Sequence, residues 1–270
     1  MTLEYDSTNP TLINSVVCFI DILGFQSLGL EAIKKGKGNE FLRDLHVSLT
    51  EAKKSLTPYT HLSAKVKVFT DNVVIGWPIF QDGEGELGNT FFNLSEYQFS
   101  LALNGYFIRG GISVGEHFMD EETVFGPALF KSYELESKVA IYPRITLSAE
   151  SKENVERYLS FYSNKKDSPF YTEVLEDMDG EWFLNYLHIL IDRFEEEIDE
   201  NDYTPLYPYL KEHKHKIEES LNKYAGNYKL LKKYAWIANY HNYFCDEFIP
   251  RSDNFKISSP IKMSYPRRIL

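Results

Sequence analysis

Val16-Val-Cys-Phe-Ile-Asp21-Ile-Leu-Gly24-Phe25 is a run of β-branched and aromatic residues interrupted once, by an acid. A continuous apolar run of this kind reads as a central strand over residues 16–20. Asp21 stops it, and Gly24-Phe25 opens a turn. Further along, Ala64-Lys-Val-Lys-Val-Phe-Thr-Asp71-Asn72-Val-Val-Ile-Gly-Trp77 alternates on both sides of a second acid. That pattern predicts two strands joined at Asp71-Asn72, residue types that tolerate left-handed backbone. Between the two stretches, Phe41, Leu42, Leu45, Leu49 and Ala52 recur at helical spacing over residues 39–56, with Pro58 as the stop.

The pattern continues with a polar loop over 78–88, a helix over 90–103 closed by Asn104-Gly105, and a strand over 106–114. The pair Gly110-Gly111 inside that strand predicts a bulge or a close backbone approach. Residues 116–122 read as a hairpin tip and 123–126 as a short strand. Pro127 then opens a helix bearing Phe130, Tyr133, Leu135 and Val139, and 141–148 is a further strand. The order β-α-β-β-α-β-β-α-β with antiparallel hairpins predicts an α+β fold, helices covering a mixed sheet. After residue 150 the character changes: 150–162 is helical, 181–187 a strand, and 207–248 helical and rich in Lys, Tyr and Glu. The expected division is a first domain over 1–150 and a mostly helical region over 151–270. Residues 195–202 are an acidic cluster, read as a solvated face or loop.

The chain has 270 residues, and 29 basic against 40 acidic side chains give a formal charge of −11. That balance argues against nucleic acid as a partner, which needs a basic face. Hydrophobic residues at 43% with 15% aromatics exclude global disorder. The longest apolar run is too short to span a bilayer, and the first ten residues lack the apolar core of a signal peptide. Cys18 and Cys245, both in apolar segments, make a disulfide framework unexpected and fit a reducing cytoplasm.

Asp21 and Asp71 are the acids whose positions invite chemistry. A sheet of this order can bring them to one edge, where two carboxylates repel unless a cation sits between them. Hard divalent ions with oxygen ligands would answer that, and two such ions can clamp the attacking and leaving oxygens of a phosphoryl transfer. Taken alone, the acids are read more simply as a strand cap and an Asx turn. Arg109 is either a phosphate donor or the partner of a surface acid, and Lys67 either a base contact or an outward strand residue. His213 and His215, two apart on a helix, point to different sides and make a poor metal pair. His117 falls on the hairpin tip without a Ser or Cys partner. The Tyr-rich stretch 224–243 reads as packing, with Trp236, Ile237 and Tyr240 as a candidate partner face.

Phe19-Ile-Asp21-Ile-Leu-Gly24-Phe25 resembles the first metal-binding segment of class III nucleotidyl cyclases, and Lys67-Val-Phe-Thr-Asp71 their second. Ile108-Arg109-Gly-Gly-Ile112 resembles the strand whose arginine contacts the nucleotide phosphates, and Thr123-Val-Phe-Gly126 a further base-contacting segment. The segments stand in family order within residues 16–147. The resemblance implies a ferredoxin-like cyclase homology domain. It implies Mn²⁺ or Mg²⁺, two ions per site, on Asp21, Asp71 and the main chain of Ile22. Triphosphate would lie against Ile22, Gly24, Phe25 and Arg109, and the base against Lys67 and Thr123. It also implies a homodimer with the active site at the subunit interface. Phe130 and Glu134 stand where the family's transition-state Asn and Arg are expected, and Arg144 is a candidate surrogate. Gly126-Pro-Ala-Leu-Phe-Lys-Ser-Tyr-Glu-Leu-Glu136 with Tyr142-Pro-Arg144-Ile145 resembles the pyrimidine cyclases of Pycsar antiphage systems. That implies UTP, with CTP as the alternative, turned into a 3′,5′-cyclic nucleotide read by a separate effector. The rival is an inactive cyclase-homology sensor. A dinucleotide-forming palm enzyme lacks its GGDEF-like hairpin here.

Overall fold

The computed structural model describes residues 4–56, 64–198 and 202–270. Pro58 and residues 199–201 of the acidic cluster lie outside the described residues. The elements run β1 (Ile13–Ile22), α1 (Phe25–Lys34), α2 (Gly38–Lys53), β2 (Lys65–Phe69), β3 (Asn72–Pro78), α3 (Glu84–Leu103) and β4 (Ile108–Met119). Then come β5 (Val124–Phe125), α4 (Pro127–Glu134), β6 (Ile145–Leu147), α5 (Ala149–Leu159), α6 (Phe170–Glu173), β7 (Val174–Glu176) and β8 (Trp182–Leu184). The chain closes with α7 (Ile189–Arg193), α8 (Tyr207–Lys223), α9 (Tyr228–Phe248) and β9 (Arg267–Arg268).

The strand order is β2-β3-β1-β4-β6-β8-β7-β9, with β5 paired to β4. Neighbours are antiparallel except β4 and β6. The first four strands therefore follow the ferredoxin-like β-α-β-β-α-β plan, and the α+β mixed sheet expected from the sequence is present. The later strands β8, β7 and β9 extend the same sheet beyond β6.

Alternation sorts β1 onto two faces. Val16, Cys18, Ile20 and Ile22 point into a core shared with Leu45 of α2 and Phe91, Leu94 and Tyr97 of α3. Val17 packs on the opposite face with Val74, Phe118 and Ala128, under α4. Asp21 shares the parity of Val17 and so faces the α4 side. A third core joins α8 and α9 to Phe183 and Leu187, and it takes in Leu23, Phe107 and Tyr142 from the strand ends near Asp21.

Several sequence expectations are corrected. The turn between β2 and β3 is Thr70-Asp71, with Asn72 already in β3. Thr70 takes φ +57, an uncommon conformation for a β-branched residue, and its hydroxyl donates to Asp71 Oδ1 at 2.8 Å. Helix α3 begins at Glu84 rather than 90, launched by left-handed Gly83 and by Asp82, which accepts from the Glu84 N–H at 3.2 Å. Its weak formers Gly85 and Gly88 are held because most of the helix is buried. Strand β4 runs through the expected hairpin tip to Met119, so His117 is a fully buried strand residue edge-on to Tyr5. Beyond the turn at Gly24-Phe25 the chain continues as helix α1. Gly110 and Gly111 mark a close approach rather than a bulge: a Cβ on Gly111 would sit 2.4 Å from Leu135 Cβ and 2.5 Å from the Ser132 carbonyl oxygen. Trp236, Ile237 and Tyr240 are core, not a partner face.

Candidate active site at the end of strand β1

Antiparallel pairing of β1 with β4 sets Asp21 directly opposite Arg109. The guanidinium donates through Nε and Nη2 to Asp21 Oδ2 at 3.1 and 3.0 Å. The same Nη2 lies 2.7 Å from Glu136 Oε1. Glu136 is buried and reaches Arg109 because α4 continues as a π-helical turn over Leu135–Val139, packed against Gly111.

The third acid is Asp71. Its carboxyl comes within hydrogen-bonding reach of Asp21, which joins the end of β1 to the β2–β3 turn. Burial and the Asp71 carboxyl together push the pKa of Asp21 up, despite Arg109 beside it. Burial also raises Glu136, with Asp21 and Asp71 adding to the effect against the pull of Arg109. Arg109 thus pairs with two carboxyls while a third, Asp71, stands beside Asp21, so the acids outnumber the arginine and the cluster is short of positive charge.

That shortage bears on whether a divalent cation fits. The side-chain donors are oxygens, two of them carboxylates that repel each other, and the Ile22 side chain beside them is buried and apolar. Mg²⁺ is commonly held by one or two carboxylates with the rest of its shell from water and phosphate. Asp21 and Asp71 fit that role. Among the described residues no group of three or more His, Cys, Asp or Glu is arranged to hold a metal by itself, so such an ion would depend on a ligand's oxygens.

Directly after Asp21, Gly24 adopts φ +72 and starts α1 with no side-chain cap. The first helical bond runs from the Leu28 N–H to the Gly24 carbonyl at 3.0 Å, so the N–H groups of Phe25 to Ser27 have no partner within the helix. Uncapped donors at this position suit an anion.

Lys67 and Thr123 meet elsewhere, at the β4–β5 turn. Lys67 Nζ donates to the carbonyls of Glu121 at 2.8 Å and Asp120 at 3.4 Å. The Thr123 N–H donates to Asp120 Oδ1 at 2.7 Å in that same turn. Phe130 and Tyr133 are exposed on α4, and Glu134 pairs with Lys138 at 3.3 Å. Arg144, the candidate surrogate cation, is fully buried and its guanidinium is engaged by Asp177 and Asp179. His213 does not pair with His215; its Nδ1 lies 2.9 Å from His241 Nδ1 inside the C-terminal core.

Two residues of the site escaped sequence reasoning. Glu136 depends on the π turn, which no local pattern announced. Lys233 of α9 lies close enough to Arg109, Asp21 and Glu136 to feel their charges. Its only sequence signal is three lysines, Lys229, Lys232 and Lys233, opening a helix with no acid in its first turn.

No protein-family profile matches the chain, and no curated protein matches it. Among solved structures, a class III adenylyl cyclase-like ATP-binding protein from Pseudomonas aeruginosa aligns at 15% identity and TM-score 0.43, over 55% of this chain and 37% of that one. The guanylyl cyclase Cya2 aligns at 16% identity and TM-score 0.42, over 53% of this chain and 79% of its own. The adenylyl cyclase CyaB from P. aeruginosa aligns at 14% identity and TM-score 0.45, over 64% and 94%. The chain thus spans little more than a third of the first of these proteins. None of the described helices is long and apolar enough to cross a membrane.

Proposed function

We propose that this chain is a metal-dependent nucleotide cyclase that converts UTP to 3′,5′-cyclic UMP and pyrophosphate. CTP is the alternative substrate, and the product would serve as a second messenger in Pycsar-type antiphage defence, read by a separate effector. The observation that carries this reading is the meeting of Asp21 and Asp71, from segments fifty residues apart, beside the uncapped start of α1.

Asp21, Asp71 and the Ile22 carbonyl would hold Mn²⁺ or Mg²⁺. When bound, the ions supply positive charge that lowers the pKa of a ribose hydroxyl and offsets charge on the leaving pyrophosphate. The N–H groups of Phe25 to Ser27, unpaired within α1, would receive phosphate oxygens. Arg109, oriented by Glu136, would donate to the phosphate oxygens. Lys67 and Thr123 stand together at the β4–β5 turn, where they would meet a base edge.

The same face exposes Phe69, Phe125, Phe130 and Tyr133, an apolar surface suited to a second copy of the chain, and a homodimer would complete the site. The sensor reading draws on a different observation. Arg109 is occupied by Asp21 and Glu136, and the exposed α4 positions hold Phe130 and Glu134 instead of a polar, cationic pair. In that reading the domain would bind nucleotide without turning it over.

Incubation of purified protein with Mn²⁺ and each of the four nucleoside triphosphates, followed by mass spectrometry, separates the two. Cyclic UMP or cyclic CMP that disappears with Asp21→Ala and Asp71→Ala is the expected result. Nucleotide binding without any cyclic product from any triphosphate would establish the sensor and end the cyclase reading.

A further inference from the structure

The chain carries 40 acids against 29 basic residues, yet Lys229, Lys232 and Lys233 crowd the start of α9 with no acid among them. Cations there oppose the helix dipole, so helix stability does not account for their placement. Packing fixes where they point. Tyr234 sits edge-on to Phe107 with ring centroids 5.7 Å apart, two residues ahead of Arg109. Trp236 stacks on Tyr142 at 5.8 Å, just past the π turn that bears Glu136. These contacts seat the α9 turn that bears Lys233 beside the start of β4 and the π turn, where Lys233 feels the charges of Arg109, Asp21 and Glu136.

Lys233 is half-buried, and among the described residues it has no ion-pair or hydrogen-bond partner. Burial holds its pKa below the usual lysine range, with repulsion from Arg109 and Lys229 adding to the effect. Lys232 lies over the Tyr142 ring at 5.8 Å, and Lys229 is exposed one turn before Lys233. A partly desolvated ammonium with no carboxylate in bonding range retains its full capacity to donate. Arg109, by contrast, is shared between two acids, and a triphosphate brings more negative charge than it can offset.

We propose that Lys233, with Lys229 behind it, is a phosphate-contacting residue of the nucleotide site, delivered by the C-terminal helix α9. This rests on the reading that the Asp21–Asp71 site takes a nucleoside triphosphate. It gives the C-terminal region a direct part in binding: the second cation of the site comes from outside the first four strands.

The probe is inorganic tripolyphosphate, titrated calorimetrically in the presence of Mg²⁺ into the wild-type chain and into Lys233→Met, Lys233→Arg and Lys229→Met. Lys233→Met is expected to weaken binding about ten- to a hundredfold, Lys233→Arg to recover most of it, and Lys229→Met to give a smaller loss. If Lys233→Met fails to fold, Lys233→Arg and the exposed Lys229→Met decide, through a graded loss that high salt erases. Unchanged affinity in all three variants, or no tripolyphosphate binding by the wild type, overturns the inference. Lysine-dependent binding without formation of any cyclic nucleotide supports it while refuting cyclisation.

Discussion

The molecule contains two arginine–carboxylate clusters of similar composition and opposite design. Arg144, fully buried, donates to Asp177 and, through Nη1 at 3.1 Å and Nη2 at 2.5 Å, to Asp179. Trp236 Nε1 donates to Asp177 at 2.7 Å, and the rings of Tyr142 and Phe183 flank the guanidinium at 5.6 and 5.9 Å. Burial works against ionisation of Asp179, but Arg144 outweighs it and holds the carboxyl below its ordinary range. At the other cluster Arg109 faces Asp21 and Glu136 with Asp71 beside them, and Asp21 is pushed up instead. In one cluster the guanidinium is fully buried among aromatics and only Asp179 reaches the surface; in the other the guanidinium itself is partly exposed and a third carboxyl stands beside its partners. A carboxyl raised by a neighbouring acid, beside a partly exposed arginine, marks a candidate binding site better than a guanidinium shut away in the core.

The contrast can be broken most forcefully at the open cluster. Under the proposed cyclase reading, Asp71→Asn is expected to lower turnover about 10³-fold, about 4 kcal/mol of transition-state stabilisation. Its melting temperature should equal or exceed that of the wild type, because one of two repelling acids is gone. A stability loss with turnover intact would reverse the assignment. The sealed cluster should behave the other way. Arg144→Met strands two acids and is expected to cost about 3–5 kcal/mol in denaturant unfolding. A variant as stable as wild type would show that the cluster is not structural.

Acidification sharpens the distinction by a smaller amount. His213 and His241 are fully buried, stacked and neutral in the C-terminal core. Burial lowers His213 well below the ordinary histidine range, and it lowers His241 to about 4. The unfolded chain binds protons first as pH drops, so stability present above about pH 6.5 is lost progressively toward pH 4. The slope is at most ~1.4 kcal/mol per pH unit for each imidazole. Melting temperature measured from pH 7.5 to 4.5 should fall for the wild type and fall less steeply for His241→Gln. Parallel curves would exclude the pair as the origin.

Much of the first 150 residues was legible because periodicity and turn chemistry agree there with the tertiary structure. The run 16–20 is the centre of β1, the alternation about Asp71 is the β2–β3 hairpin, and Pro127 opens α4. Boundaries slipped where neighbours overrule local preference. Glycines inside α3 look like loop but are held by burial, and residues 116–119, which follow Gly115 and open with Glu116-His117, look like a tip but belong to β4. At the site, Asp21 and Asp71 stand out because one stops an apolar strand and the other sits at the turn of an apolar hairpin, whereas Arg109 stands out through the family resemblance. Lys67 and Thr123 were also singled out, and they sit together at a turn. Glu136 and Lys233 could not be found that way, since one depends on a π turn and the other on helix packing between residues more than 120 positions apart.

The continuation of the sheet through β8, β7 and β9 has a practical consequence for anyone who would excise the first 150 residues. Strand β6, Ile145–Leu147, is wholly buried and lies between β4 on one side and β8 on the other. A fragment ending near residue 150 would bare its β8 side as an unprotected apolar edge, an invitation to intermolecular strand pairing and precipitation.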